Sequence, residues 1–438
     1  MIVNSEQRLE LLRTARREFE RGDAADPAFY RRKIADVWAR AQASPAYAKL
    51  GDFSWDTFRA LPVTTKEQLK RDPWSYVAAP VEAAAKYYET TGTTGTATPT
   101  PRLAEDIIWN TVSVARAWGD LVGTGDRVLS LLPSDVVPVG DLVAGVCEYL
   151  DVPHTRAYPF ATGICDWDRL AEVWAALRPT VVFLAPGVAL QATRLFKQRG
   201  RLAELRSSVR ALMLLGEVSV PALRARLGHW WGATAYDASY GSTETGTLAA
   251  TCPRDRLHLL TVANYVELAG DTGAEPLGDR GAGRLVVTPL NLYARPLLRY
   301  DTGDEVEVTS GCDCGRATPV VTVLGRATDG LRIQDTALTP HLVEQIVYGA
   351  TTATGYLLET DPAGRRFRLL LERDVDADRS GEPAAAEAVR AAFRDHGLDC
   401  AAVLFLNSLP STTKSGGSQK SWKRSNIRIV TDRSVEDW

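Results

Sequence analysis

Three short apolar runs constrain the fold most: "RVLSLLP" (Arg127 to Pro133), "TVVFLAP" (Thr180 to Pro186) and "ALMLLGE" (Ala211 to Glu217). Each is too short for a helix, and the first two end in a proline, which interrupts a strand. Helix-like segments such as "GDLVAGVCEYL" lie between them, and strands alternating with helices predict a mostly parallel sheet with sites at the strand ends. From about Leu257 the texture changes to "YVELAG", "GRLVVTPL" and "DEVEVT", which alternate in polarity between glycine-rich turns, as antiparallel strands do. A later unit, "GYLLET", "RFRLLLERDV", "AAAEAVRAAFRDHG" and "AAVLFLNSLP", reads as a small α+β domain. At 438 residues the chain exceeds one ordinary core. The expected fold is α/β, with a large N-terminal domain of mixed and parallel sheets with helices plus an antiparallel β region, followed by the small α+β domain.

Composition narrows the partners. A net charge of −3 argues against nucleic acid and against an anionic membrane surface, since both select a basic face. The opening "MIVNSEQRLELLRTARREFERGD" carries charges among its leucines, which predicts an amphipathic helix rather than a signal peptide. No apolar run reaches the roughly 18 residues that a membrane span needs. A cytoplasmic protein is expected, and its six cysteines then read as thiols or metal ligands rather than a disulfide framework.

The segment "YYETTGTTGTATPTPR" (Tyr87 to Arg102) cannot pack a core. Gly92 and Gly95 permit tight turns, and Thr91, Thr93, Thr94 and Thr96 supply hydroxyl and N–H donors suited to phosphate oxygens. The spacing and lysine of a Walker loop are missing. A polar surface loop is the other reading of the segment alone.

Its company decides the reading. In order follow "YDASYGSTETG" (Tyr236 to Gly246), "RPLLRYDTGDEVEV" (Arg295 to Val308), "LGRATDGLRIQ" (Leu324 to Gln334) and "LPSTTKSGGSQKSWKR" (Leu409 to Arg424). Together they resemble the core motifs of the adenylate-forming superfamily. "LPVTTKEQL", "CDCGR" and the overall length are similar to the phenylacetate-CoA ligase family within it.

The resemblance implies an AMP-forming ligase. A carboxylic acid, aromatic in that family, attacks the α-phosphorus of ATP, pyrophosphate leaves, and the acyl group passes to CoA or to an amine, a hydroxyl or a carrier-protein thiol. It implies that Thr91, Gly92, Thr93, Thr94 and Gly95 cradle phosphates, that Glu244 holds Mg2+, and that Thr243 donates to the α-phosphate. Tyr240, with Ala238, Ser239 and Gly241, would face the adenine, Gly216 and Glu217 would line its edge, and Asp304 would accept the ribose hydroxyls. Arg326 would touch ribose or phosphate. The implied organisation is a core domain over 1–325, a hinge over 326–329 turning at Asp329, and a mobile C-terminal domain over 330–438. Ser134, Val139, Gly140, Ala185, Pro186 and Ala238 would line the acid pocket. Asp335 falls where CoA-using relatives carry a channel glycine.

Lysine usage adds an independent clue. Only 9 lysines stand against 42 arginines, yet Lys414, Lys420 and Lys423 share one short segment. The resemblance assigns the catalytic lysine there, to Lys420 ahead of Lys414, as a compact charge on a flexible stem. Separately, Cys252 and His258 with Cys312 and Cys314 make three thiolates and an imidazole, the donor set of a closed structural Zn2+ site. Scattered reduced cysteines are the alternative. Activation of nitrite for diazotisation of an aryl amine, and a catalytically retired nucleotide-binding or scaffold relative, are the other functions compatible with the motifs. The oligomeric state, monomer or dimer, stays open.

Overall fold

The computed structural model describes residues 3–20, 26–90, 97–161, 163–217, 219–271, 273–326, 331–410 and 426–431. The chain divides into two compact units, one of Met1–Arg156 with Asp237–Leu324, the other of Ala157–Tyr236 with Gly325–Trp438. Among the described residues no helix is long and apolar enough to cross a membrane.

The first unit is organised by the antiparallel region. A nine-stranded sheet runs, in spatial order, Gly273–Pro276, Asn264–Gly270, Gly281–Pro289, Tyr300–Thr309, Val320–Arg326, Leu257–Leu259, Gly246–Thr251 and Ser239–Ser242, with Thr64–Thr65 parallel to Tyr300–Thr309. One face is apolar because every second residue points inward. Leu257, Leu259, Val266, Leu285, Val287, Val306, Val308, Val321 and Val323 therefore form one buried cluster. Against another part of the unit the helix Pro27–Ala41 buries Ile34, Val37, Trp38 and Ala41 on Tyr265, Leu290 and Leu298. Asp26 caps that helix and Pro27 starts it, as a preset φ without an N–H requires. The opening amphipathic stretch is the helix Glu6–Glu20, whose Ala15 and Phe19 pack on Ile108, Trp109 and Val112 of the helix Ala104–Trp118.

Parallel pairing occurs where the apolar runs predict it. Val128–Ser130 pairs parallel with His154–Arg156 around the helix Val139–Tyr149. In the second unit Val181–Leu184 pairs parallel with Ala211–Leu214 around the helix Pro186–Gln198. Its C-terminal part is a four-stranded sheet in the order Ala402–Leu406, Phe367–Glu372, Gly355–Thr360, Ile427–Ile429, accompanied by the helices Pro340–Ala350 and Glu382–Asp395. The hairpin Leu331–Ile333 to Thr336–Leu338 turns through Gln334 and Asp335, both at positive φ (50° and 63°), a backbone suited to a primed two-residue turn.

Candidate active site

The strands flanking the threonine–glycine segment are Lys86–Glu89 and Pro99–Arg102, paired antiparallel with Lys86 opposite Arg102 and Glu89 opposite Pro99. Thr90 and Thr98 close the pairing, Thr90 N–H donating to Thr98 O at 3.1 Å and Thr98 N–H to Thr90 Oγ1 at 2.9 Å. Thr91, Gly92, Thr93, Thr94 and Gly95 themselves lie outside the described residues. So do Asp329, Lys414 and Lys420.

Glu244 sits between the strands Ser239–Ser242 and Gly246–Thr251, which pair antiparallel. Two glycines make this turn. A Cβ on Gly241 would stand 2.2 Å from Gly246 O, and Gly246 itself holds φ at +78°, so neither position takes a side chain without displacement or strain. Thr245 N–H donates to Ser242 Oγ at 3.2 Å, leaving Thr243 half-buried and Glu244 only 3% exposed. Burial opposes ionisation of Glu244, but the charges of Lys66 and Arg295, together with hydrogen bonds from its own backbone and from Ser242, outweigh it and hold the carboxyl below its ordinary value. A buried carboxylate kept ionised is a donor suited to a hard divalent cation.

Beside it, the Tyr240 hydroxyl donates to Asp304 Oδ2 at 2.6 Å. Burial first, then the Asp304 charge, pushes the Tyr240 hydroxyl well above its usual range, so it stays a donor. Asp304 N–H donates to Thr302 Oγ1 at 3.2 Å, and Thr302 Oγ1 donates in turn to Leu285 O at 2.9 Å. Gly303, at φ +74°, makes the bend between them. Ala238 is fully buried, and its carbonyl accepts from Trp118 Nε1 at 2.9 Å. Ser239 is half-buried and pairs with Ala250.

Of the expected acid-pocket residues, Ser134, Val139 and Gly140 belong to the first unit. A Cβ on Gly140 would meet Ser134 Oγ at 2.2 Å and Pro133 O at 2.6 Å, so this helix start is closely wrapped. Just beyond it, Asp141 accepts from Lys86 Nζ (2.6 Å), the Tyr88 hydroxyl (2.9 Å) and Arg156 Nη1 (3.0 Å). Ala185 and Pro186, both buried, belong to the second unit at the start of the helix Pro186–Gln198. Gly216, at φ +90°, and the half-buried Glu217 follow the strand Ala211–Leu214 there. Arg326 ends the strand Val320–Arg326 half-buried.

Cys252, His258, Cys312 and Cys314 converge, with one ligand atom from each within 4.8 Å of all the others. Cys252 Sγ and Cys312 Sγ are 3.9 Å apart, close to the edge of a tetrahedron with about 2.3 Å zinc–sulfur bonds. Cys314 Sγ lies 3.3 Å from His258 Nε2. On the other side of the ring, His258 Nδ1 is 2.8 Å from Thr318 O, an arrangement in which Nδ1 carries the proton and Nε2 keeps its lone pair toward the thiols. These residues fit a structural zinc ion.

No family model matches the chain. The phenylacetate-coenzyme A ligase of Thermus thermophilus is 28% identical over 298 residues, spanning 66% of this chain and 65% of that protein. That of Escherichia coli is 25% identical over 317 residues, spanning 70% of each. The crystal structure of 2-hydroxyisobutyryl-CoA ligase in the postadenylation state matches with a TM-score of 0.73 at 19% identity, covering 99% of this chain and 91% of that one. The chain has the adenylate-forming fold. The motif resemblance to phenylacetate-CoA ligases is borne out by these matches, and so is the α/β fold class with its parallel and antiparallel sheets.

Three residues of this adenylate-forming fold stand at the site without having been singled out from the sequence. Lys66, whose charge acts on Glu244, begins a short helix fixed by a capping box of Thr65 and Gln68. That T-x-x-Q signature in "LPVTTKEQL" was readable; its proximity to Glu244 was not. Arg102 Nη2 donates to Thr243 O at 2.6 Å and Glu244 O at 3.0 Å. Arg295 donates from Nη1 to Pro99 O at 2.6 Å and from Nη2 to Thr100 Oγ1 at 2.9 Å. Arg102 Nη1, Arg295 Nε and Thr98 Oγ1 are buried with no hydrogen-bond partner among the described residues.

Proposed function

We propose that the chain activates a carboxylic acid, aromatic by its family resemblance, as an acyl-adenylate, using ATP and Mg2+ and releasing pyrophosphate. The acyl group then passes to CoA or another nucleophile. The observation that carries this reading is Glu244, a buried and ionised carboxylate beside the strands that flank the threonine–glycine segment, with Lys66, Arg102 and Arg295 around it. Negative charge builds on the α-phosphate as the acid attacks, so cations and aligned donors around that phosphorus lower the barrier. The buried donors near this segment that have no partner among the described residues suit an anionic ligand.

In this reading Glu244 holds Mg2+ and Thr243 donates to the α-phosphate, while Thr91, Gly92, Thr93, Thr94 and Gly95 cradle the other phosphates. Tyr240 lies against the adenine and Asp304 takes the ribose hydroxyls. Gly216 and Glu217 line the adenine edge, and Ser134, Val139, Gly140, Ala185, Pro186 and Ala238 line the acid pocket. Rotation at Asp329 carries Lys420 to and from the phosphate. Zinc bound by Cys252, His258, Cys312 and Cys314 ties two segments of the antiparallel region together. Asp335 stands at a left-handed turn position that glycine also favours, so its side chain is the added feature on the way to the acceptor.

The test is pyrophosphate release with ATP and Mg2+ over a panel of aryl and alkyl acids, repeated with CoA and with amines. ADP in place of pyrophosphate, or neither product with any acid, would sink the reading. Lys420→Ala should lower the adenylation rate by about two orders of magnitude. A normal rate there, with Lys414→Ala inactive, moves the role to Lys414.

A further inference from the structure

We propose that Arg295 and Arg102 are positioning residues that lock the metal-holding turn at Glu244 and the strand leaving the threonine–glycine segment into one piece. The inference rests on the reading of Glu244 as the Mg2+ ligand. Both guanidiniums are buried, Arg295 completely and Arg102 with 6% exposure. Burying such a charge costs several kcal/mol unless its donors are satisfied. Here Arg102 Nη2 and Arg295 Nη1 and Nη2 go to backbone carbonyls and one hydroxyl, while Arg102 Nη1 and Arg295 Nε have no partner among the described residues.

Thr100 and Arg102 alternate along the strand Pro99–Arg102 and so share a face. Arg295 grips that strand at Pro99 O and Thr100 Oγ1, while Arg102, from the strand's end, grips the backbone of Thr243 and Glu244. Arg295 spreads its planar fork, Nη1 and Nη2, over two acceptors, a geometry that an ammonium does not match, and Arg102 Nη2 donates to two carbonyls. The two arginines also repel. Burial first, and then the Arg102 charge, brings Arg295 down to about 10, with Glu244 as a counter-charge to both. Arg102 thus fixes the backbone at Glu244, and Arg295 fixes the strand from which Arg102 reaches it. Groups that orient a metal ligand from behind in this way are worth 10- to 100-fold in metal affinity, on the order of magnitude seen at other metal sites.

The full chain and its Arg295→Met, Arg102→Met, Arg295→Lys and Thr100→Val variants provide the test. Mn2+ binding in the presence of ATP would be followed by electron paramagnetic resonance, and pyrophosphate release by Mg2+ titration, with thermal melting as the fold check. The methionine variants should weaken Mn2+ binding and raise the half-saturating Mg2+ by about 10- to 100-fold. The acid KM should stay within about twofold. Arg295→Lys should recover only part of the loss. Thr100→Val removes one anchor and leaves the core filled, so it decides the matter even if a methionine variant fails to fold; a shift of about threefold in the same direction is expected. Folded variants that bind Mn2+ like the wild type would overturn the inference. Wild-type protein that binds Mn2+ and ATP but releases no pyrophosphate would instead overturn the proposed function, and the variants' Mn2+ affinities would still decide this one.

Discussion

The Tyr240 hydroxyl donates to Asp304 Oδ2 at 2.6 Å, joining two motif residues 64 positions apart. The hydrogen bond holds the Asp304 carboxylate in one orientation, and under the proposed function that preset orientation serves nucleotide binding. Asp304→Ala should raise the KM for ATP by about tenfold or more, with less change in kcat. Tyr240→Phe, which frees the carboxylate to rotate, should raise it by only about two- to fivefold. Steady-state kinetics with varied ATP checks both. Equal effects of the two substitutions would mean that Asp304 acts only through the tyrosine.

The potential ligand atoms of Cys252, His258, Cys312 and Cys314 come from strand ends and a turn of one sheet, so a zinc ion held there would cross-link segments some 60 residues apart. Elemental analysis of protein prepared in metal-free buffer should find about one zinc per chain. Cys312→Ser should abolish that zinc and lower the melting temperature. It should leave the KM for ATP near the wild-type value in chains that remain folded. Wild-type protein free of zinc would remove the site.

In the second unit a buried ion-pair network ties the helix Pro186–Gln198 to the end of the strand Phe367–Glu372 and to Asp374 just after it. Lys197 Nζ meets both oxygens of Asp374 at 2.7 and 2.6 Å, and Trp230 Nε1 donates to the same carboxylate at 3.1 Å. Arg194 pairs with Glu372 alongside. Removing one partner leaves a charge buried and alone, at a cost of about 3–5 kcal/mol, whereas removing both is far milder. Lys197→Met should therefore destabilise strongly in denaturant titrations, and Lys197→Met with Asp374→Leu should regain most of that loss. If the double variant is no better than the single, the pair is not what the substitution breaks.

Glu344, in the helix Pro340–Ala350, accepts from the Tyr356 hydroxyl at 3.4 Å. Burial first, and then the nearby Glu217 charge, raises its carboxyl from 4.5 to about 8. Between those values the folded chain keeps a proton that the unfolded chain releases, so stability is full below 4.5 and is lost as pH rises through about 8. Glu344→Gln, which cannot ionise, should melt close to wild type at about pH 5 and above it at about pH 8.5. Melting curves that differ by the same amount at both pH values would show that the proton is not involved.

Much of this was legible in the sequence. The runs at Arg127, Thr180 and Ala211 contain the parallel strands Val128–Ser130, Val181–Leu184 and Ala211–Leu214, and the alternating segments after Leu257 are antiparallel strands. Gly241 and Gly246, within the motif "YDASYGSTETG" that carried the family resemblance, stand where backbone crowding and a positive φ favour glycine. The spacing of Cys312 and Cys314 could be read because both belong to one local turn.

The sequence by itself determined element types and the chemical kinds of group at the site, because periodicity, turn residues and short motifs are local properties of the chain. Only the tertiary structure decided that residues 157–236 form a compact unit with those after Leu324, and that Arg102 and Arg295 are buried around Glu244. Arg102 reaches Glu244 across 142 residues and Arg295 reaches Pro99 across 196. An arginine that will be buried and one that will be solvated look alike in a string of letters. Packing between distant segments separates them, because only there is the cost of desolvating the charge set against the acceptors that satisfy it.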